Sequence, residues 1–452
     1  MSWFQACPDV TSWGGVLRRE HQVATPQWRD EVGPVLREAR ARKLDILASG
    51  ARRSYGDSGL NPDGALVNMT GLDRVLSFDP GTAILRAEGG VTFDTLIRLF
   101  LPRGFFLPVT PGTRFVTLAG AIANDVHGKN HHGHGTLSRW VRAIGLIRSD
   151  GTLHELTPEQ EPELFAATLG GLGLTGIIAW ADVELMPVSS AVMDVETVSF
   201  SSLEAFFDLA QESERDFDYT VAWVDCLAAG KALGRGTFSR ANHALDGGLD
   251  VAAGRDGRRL AVPMDFPGFV FNRHTVRAFN RVCYSNGRRK AGRGRVPLSR
   301  FFYPLDAIEN WNRMYGARGM YQYQSVVPVS VQREATRAML QAISDSGQGS
   351  FLAVLKTFGG LRSAGMLSFP FEGTTLALDF PNRGDETLKL MARLDAIVAE
   401  AGGRLYPAKD GRMSGAMFRA GYPDWERFAV HVDPHFSSHF WRRVAGLEKA
   451  CV

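Results

Sequence analysis

Cysteine is scarce and scattered: four in 452 residues, at positions 7, 226, 283 and 451, with no CxxC pair. That spacing supplies neither a zinc knuckle nor a disulfide framework, and it suits a reducing compartment. No run approaches the ~18 consecutive apolar residues of a spanning helix. The N-terminal MSWFQACPDVTSWGG has no basic stretch leading into an apolar one, so no signal peptide is expected. A strong charge of either sign is also missing. The formal net charge is +3, which permits an anionic ligand but lacks the basic stripe of a nucleic-acid binder. No internal repeat is evident. What remains is a cytoplasmic protein of ordinary globular composition, too long for one core and predicted to hold two or three domains.

Patterned segments fill the first ~190 residues. VGPVLREARARKLDILASG reads as a helix running into a strand, and ALVNMTGLDRVLSFDPGTAILRAEGGV as short strands joined by turns. In TFDTLIRLFLPRG, Thr92 is placed to cap a helix that Gly104 stops. Asp150–Gly151 is a turn between two strands. Residues 159–169 read as a short helix, and GIIAWADVELMPV as a strand ending at Pro187. Short helices among many strands predict an α+β domain. Residues 191–400 carry more aromatics and longer elements. Within them SNGRRKAGRGRVPLSR (285–300) reads as a solvated mobile loop, or as a basic segment that approaches a phosphate or an acidic membrane surface.

Gly171, Gly173 and Gly176 in GLGLTG match the dinucleotide pattern GxGxxG in the wrong context. They follow a helix and open a strand, whereas a Rossmann turn does the reverse. Two other stretches carry more. ASGARRSYGDSGLN (48–61) and TPGTRFVTLAGAIANDVHGKNHHGHG (110–135) are rich in small residues. These let backbone N–H groups approach a bulky anion such as a pyrophosphate, or let a loop pack tightly on a strand. Four histidines (His127, His131, His132, His134) fall within eight positions of the second stretch. The spacing H-x3-H-H-x-H sits in a Gly/Asn-rich loop with Asp125 as its one carboxylate, unlike a rigid zinc scaffold, and no metal is expected.

RSYGD, PGTRFVTLAGAIANDVHGKNHH, TLGGLGLTGII and GGRLYPAKD resemble the vanillyl-alcohol-oxidase-like (PCMH-type) FAD flavoproteins. Within these, the likeness is to the oxidase components of decaprenylphosphoryl-β-D-ribose 2′-epimerases. It runs from about residue 45 to about 434 and includes YQYQSVVP, FLAVLKTFG and LDFP in the middle. The resemblance implies an FAD-binding domain at 1–190, a mixed α+β substrate cap at 191–402, and a segment, 403–452, that returns to the first domain. Flavin contacts carried over are Arg53, Ser54, Tyr55, Gly56, Asp57, Ser58, Asn61, Gly112, Thr113, Thr117, Leu118, Ala119, Gly120, Ala123, Asn124, His127, Gly128, Lys129, Asn130, Gly173, Gly176, Ile178 and Tyr406. Many relatives bond FAD covalently through a histidine just before the serine of the first motif. Arg53 stands there in this chain, so FAD is expected to be held non-covalently.

The resemblance further implies oxidation of the C2 hydroxyl of a polyprenyl-phospho-ribose, with a separate short-chain reductase completing the epimerisation. A lipid substrate implies at most peripheral contact with the inner membrane face. Lys409, His127 and Tyr55 are the catalytic candidates. Lys409 acts as base, as a charged donor, or only in a salt bridge to a neighbour such as Asp410. Lys129, Gln322, Gln324, Lys356 and Lys409 match substrate positions; the glutamine pair at i, i+2 shares one face of a strand, as a sugar wall or as solvent-facing residues, and Trp223 either lines the sugar pocket or belongs to the core. A sugar oxidase of aldonolactone or alditol type, using oxygen, is the alternative. Mycobacterial-type members carry a cysteine two residues before the Asp of DFP. This chain has Ala377, which leaves no thiol for an inhibitor that traps that cysteine.

Overall fold

A computed structural model describes residues 2–249 and 260–446; Cys451 and the end of the 403–452 segment lie outside them. The fold is α+β. Its first sheet runs in the order 5–11, 18–24, 65–68, 46–49, and its last three strands are parallel. Parallel neighbours need a crossover. Helix Arg29–Ala41 supplies it, burying Val32, Val35, Leu36 and Ala39 against the sheet.

The second sheet is antiparallel, ordered 75–79, 84–88, 177–184, 141–147, 153–156. Thr92 caps helix Phe93–Phe100 by accepting from the Thr95 N–H at 3.2 Å, and Gly104 ends the following turn at φ 84°. GLGLTG lies between helix Pro162–Thr168 and strand Ile177–Glu184. Those glycines therefore serve a helix-to-strand turn, the order opposite to a Rossmann fingerprint.

The third sheet has eight antiparallel strands, ordered 292–297, 192–200, 236–243, 219–224, 353–358, 373–381, 320–328, 404–405. Strand periodicity divides its faces. Ala222, Val224, Phe238, Tyr323, Leu355, Leu376 and Leu378 turn into a core shared with helices Leu203–Ser213, Gln332–Ser346 and Asp385–Glu400. The intervening positions, among them Trp223, Thr237, Ser239, Gln322, Gln324, Val354, Lys356 and Ala377, line a cavity.

Residues 285–300 are not a mobile loop. They finish helix Arg273–Arg289 and form edge strand Gly292–Pro297. The Gly-Arg alternation has the strand period, which sets Arg295 opposite Asp194 and Arg293 opposite Glu196. Arg295 bonds Asp194 at 2.8 Å and Asp246 at 2.7 Å.

The last described segment returns to the first sheet. The Ile46 N–H donates to the His435 carbonyl at 2.8 Å, and the Ser437 N–H donates to the Ile46 carbonyl at 3.0 Å. Among the described residues, no helix is long and apolar enough to cross a membrane.

Candidate active site

One cavity of about 990 Å³ lies between the first two sheets and the large sheet, at the upper end of the ~300–1,000 Å³ of ligand pockets. Of the residues singled out in the sequence, Arg53–Gly56, Ser58, Gly112, Thr113, Thr117, Ala119, Gly120, Ala123, Asn124, His127–Lys129, Gly173, Gly176, Ile178, Trp223, Gln322, Gln324, Lys356, Tyr406 and Lys409 line it. Positions some 350 residues apart converge because the RSYGD loop and the C-terminal segment are stitched together. The Tyr55 N–H donates to the Ala408 carbonyl at 2.9 Å. The two backbones touch so closely at Gly56 that a Cβ there would lie 1.5 Å from the Asp410 carbonyl oxygen.

Asp57, Asn61, Leu118 and Asn130 do not line the cavity. They stand behind its wall. Asp57 pairs with Arg443 at 2.7 Å and His439 at 2.7 Å. Burial works to raise its pKa, but these two partners together hold the carboxyl below the ordinary range. Asn61 accepts from Arg442 at 2.6 Å, Leu118 is fully buried in the second core, and the Asn130 amide donates to the Pro108 carbonyl at 2.7 Å. Asp410 is likewise not a partner for Lys409. It takes the Arg412 and Met413 N–H groups at 3.0 and 2.7 Å and Arg443 at 3.2 Å.

The histidine cluster divides. His127 is buried, with Nδ1 3.3 Å from Lys356 Nζ and Nε2 3.0 Å from the Gln324 amide. Burial, then the charges of Lys356, His131 and Lys409, holds its pKa well below the usual value, so the ring is neutral. His131 packs on Phe358, its pKa pushed by burial to about 3. His132 lies 2.8 Å from the Phe217 carbonyl, and His134 stacks on Trp140. Asp125 spends its carboxylate on Ser138, Ser363 and Ser368.

Three lysine heads open into the same cavity. Lys409 Nζ sits 4.0 Å from the Tyr55 ring centroid. Lys356 also donates to the Gly128 carbonyl at 3.3 Å, and Lys129 to the Phe302 carbonyl at 2.9 Å. Burial lowers all three pKa values, bringing Lys129 to about 8 and Lys356 to about 7, the latter helped by its two lysine neighbours. Sequence reasoning missed the group that opposes this at Lys409. Asp379 is fully buried on the strand opposite the glutamines. Its Oδ1 accepts from Gln322 at 2.6 Å, and its Oδ2 has no partner among the described residues. Burial raises the Asp379 pKa, and its charge supports the ammonium of Lys409. The available signal was a carboxylate inside the apolar strand GTTLALDFP, costly unless it does something.

The cavity suits a long, dianionic, aromatic cofactor. A Cβ at Gly59 or Gly112 would meet nothing within 4 Å, so their backbones present an open cradle. Arg53 Nε and Asn124 Oδ1 are buried at the wall without a partner among the described residues. These are the features of a flavin-adenine dinucleotide site. The FAD binding domain family matches residues 21–157, and the chain belongs to the PCMH-type FAD flavoproteins as an FAD-linked oxidoreductase. Among its relatives is the decaprenylphosphoryl-beta-D-ribose oxidase of Mycolicibacterium smegmatis, 36% identical over 98% of this chain and 96% of that one. An uncharacterized Streptomyces coelicolor protein from the mprA 5′ region is 33% identical over 78% of this chain and all of its own length. The D-arabinono-1,4-lactone oxidase of Eremothecium gossypii is 27% identical over 42% of this chain and 37% of that protein.

Proposed function

We propose that this chain oxidises the C2 hydroxyl of a polyprenyl-phospho-β-D-ribose to the 2-keto sugar. When bound, FAD supplies the hydride acceptor. The observation that carries the reading is the convergence of three lysine heads, a neutral histidine and a glutamine pair on one cavity wall. The relative similar over 98% of the chain, named a decaprenylphosphoryl-beta-D-ribose oxidase, supports the same substrate class.

Lys129 and Lys356 offer cations to phosphate and sugar oxygens. Gln322, Gln324 and Trp223 form a wall for the sugar, with amide groups that fix its rotation. His127 donates to or accepts from the reacting hydroxyl. Lys409, its charge supported by Asp379, holds negative charge as it develops on the C2 oxygen, and Tyr55 carries its ammonium on the ring face. Arg53 replaces the histidine that links flavin in covalent relatives; its guanidinium lies 4.3 Å over Trp13. FAD is therefore held without a covalent bond. A short-chain reductase with opposite facial selectivity would complete an epimerisation, with the protein working peripherally at the inner membrane face.

The test is anaerobic mixing of the holoenzyme with polyprenyl-phospho-ribose. The flavin absorbance bleaches within the turnover time, and acid precipitation then releases free FAD. An unbleached flavin removes this substrate. Rapid peroxide formation with a free aldonolactone or alditol, the chemistry suggested by the lactone oxidase names, would put a soluble sugar in its place.

A further inference from the structure

The cavity is bordered by a rim rich in exposed apolar groups, with one exposed acid, Asp265, among them. Leu260 and Ala261 pair in parallel with Ile308 and Glu309, and Ile308–Trp311 line the cavity. The segment after Leu260 is fastened there, with the Phe266 N–H donating to the Arg313 carbonyl at 3.0 Å and Arg313 to the Pro263 carbonyl at 2.9 Å. Although held in place, it turns its large apolar groups outward. Leu260 is 71% exposed, Met264 67% and Phe269 78%. Scattered apolar side chains on a surface need no explanation, but three on one short fastened segment beside a cavity form a patch.

Charge gathers next to it. Between Asp265 and Asp306 the chain has nine Lys and Arg residues and no acid. Arg293 and Arg295 are neutralised by the neighbouring strand. Helix Arg273–Arg289 begins directly after the rim and has no acidic residue. Along this helix Val282 and Arg289, seven positions apart, share an exposed stripe, flanked on one side by Arg281 and Arg288 and on the other by Phe279, which also packs on Phe351. None of these three arginines makes an ion pair among the described residues.

We propose that this face docks on an anionic lipid bilayer. The apolar rim enters the headgroup layer, the arginine helix lies on the charged surface, and the cavity opens towards the membrane. Apolar groups flanked by unpaired cations match such an interface. A second copy of this chain does not fit, because a two-fold contact would set the same cations against each other. The purpose rests on the lipid substrate proposed above: the phosphosugar head can reach the cavity while the prenyl tail never leaves an apolar phase. The surface itself rests only on the rim and the helix.

The experiment is co-sedimentation of the FAD holoenzyme with vesicles of phosphatidylcholine alone or mixed with phosphatidylglycerol, at low and high salt. Binding is expected on the anionic vesicles, weakened at least about tenfold by neutral lipid or high salt. Met264→Ser with Phe269→Ser, and separately Arg281→Gln with Arg288→Gln, should each weaken it by roughly tenfold. Flavin content, and bleaching by detergent-dispersed substrate, should stay unchanged, because none of the four lines the cavity. Wild-type protein that stays in the supernatant with anionic vesicles overturns the proposal. So does binding that both pairs leave unaltered, or self-association that the Met264/Phe269 pair abolishes. If vesicles are bound but polyprenyl-phospho-ribose leaves the flavin oxidised, the substrate reading falls and the docking surface stands.

Discussion

Lys409 is shaped by a conflict between burial, which disfavours its charge, and Asp379, which supports it. Removing the carboxylate settles that conflict in one direction. In Asp379→Asn the ammonium loses its supporting charge, so the Lys409 pKa falls. The limb of the pH–rate profile for flavin reduction that reports Lys409 then moves to lower pH by about 1–2 units. An unmoved profile with full flavin content would show that the two groups do not communicate. This carboxylate is also where the sequence was least legible. Family likeness transfers stretches of chain, not the direction in which each side chain points. It gave Lys409, Gln322 and Lys356 their places on the cavity wall, yet it also drew in Asp57 and Asn130, which face away from it, and passed over Asp379. Which buried groups face each other depends on the pairing of strands 320–328 and 373–381, and no local pattern encodes that.

Secondary elements were easier to read where capping and period agree. Thr92, Gly104 and the Asp150–Gly151 turn fall where the sequence puts them, because each is decided by its own backbone geometry. Residues 285–300 misled because arginine and glycine suggest a loop by composition, while their alternation has the period of a strand whose acidic partner lies about a hundred positions away. The tightest junction between elements gives a direct test. In Gly56→Ala, the new methyl would collide with the Asp410 carbonyl and the Gly411 nitrogen, forcing the RSYGD loop off the YPAKDG segment. Strain of about 1–3 kcal/mol follows. The flavin-to-protein absorbance ratio of the purified variant should drop several-fold, and normal flavin loading would show that the junction yields freely.

For the whole molecule, the cavity is less a pocket in one domain than the seam between two groups of sheets, so a bound FAD would be a structural partner of both. A ligand that binds only the folded state adds about 2.7 kcal/mol at a hundredfold excess over its Kd. For a chain of this size, stripping FAD should lower Tm by several degrees, and adding it back should restore the loss. Equal melting of the two forms would mean that the seam closes without it. The α+β class and the flavin were legible in the sequence because cofactor loops are contiguous. The seam was not, because it joins residues from every part of the chain.

That seam also has a history within each molecule. The strand Ile46–Ser49 is an edge of its sheet, and residues 435–437 cover its first position. While the chain is being made, this edge and the loop beyond it wait for almost the whole remaining sequence, tens of seconds at about 5–20 residues per second. A nascent first domain is thus an open-edged sheet with half a cofactor site. Cofactor capture becomes a late event, set by the arrival of the segment that carries Lys409, and a ribosome that stalls before that point releases a protein that no supply of flavin can complete.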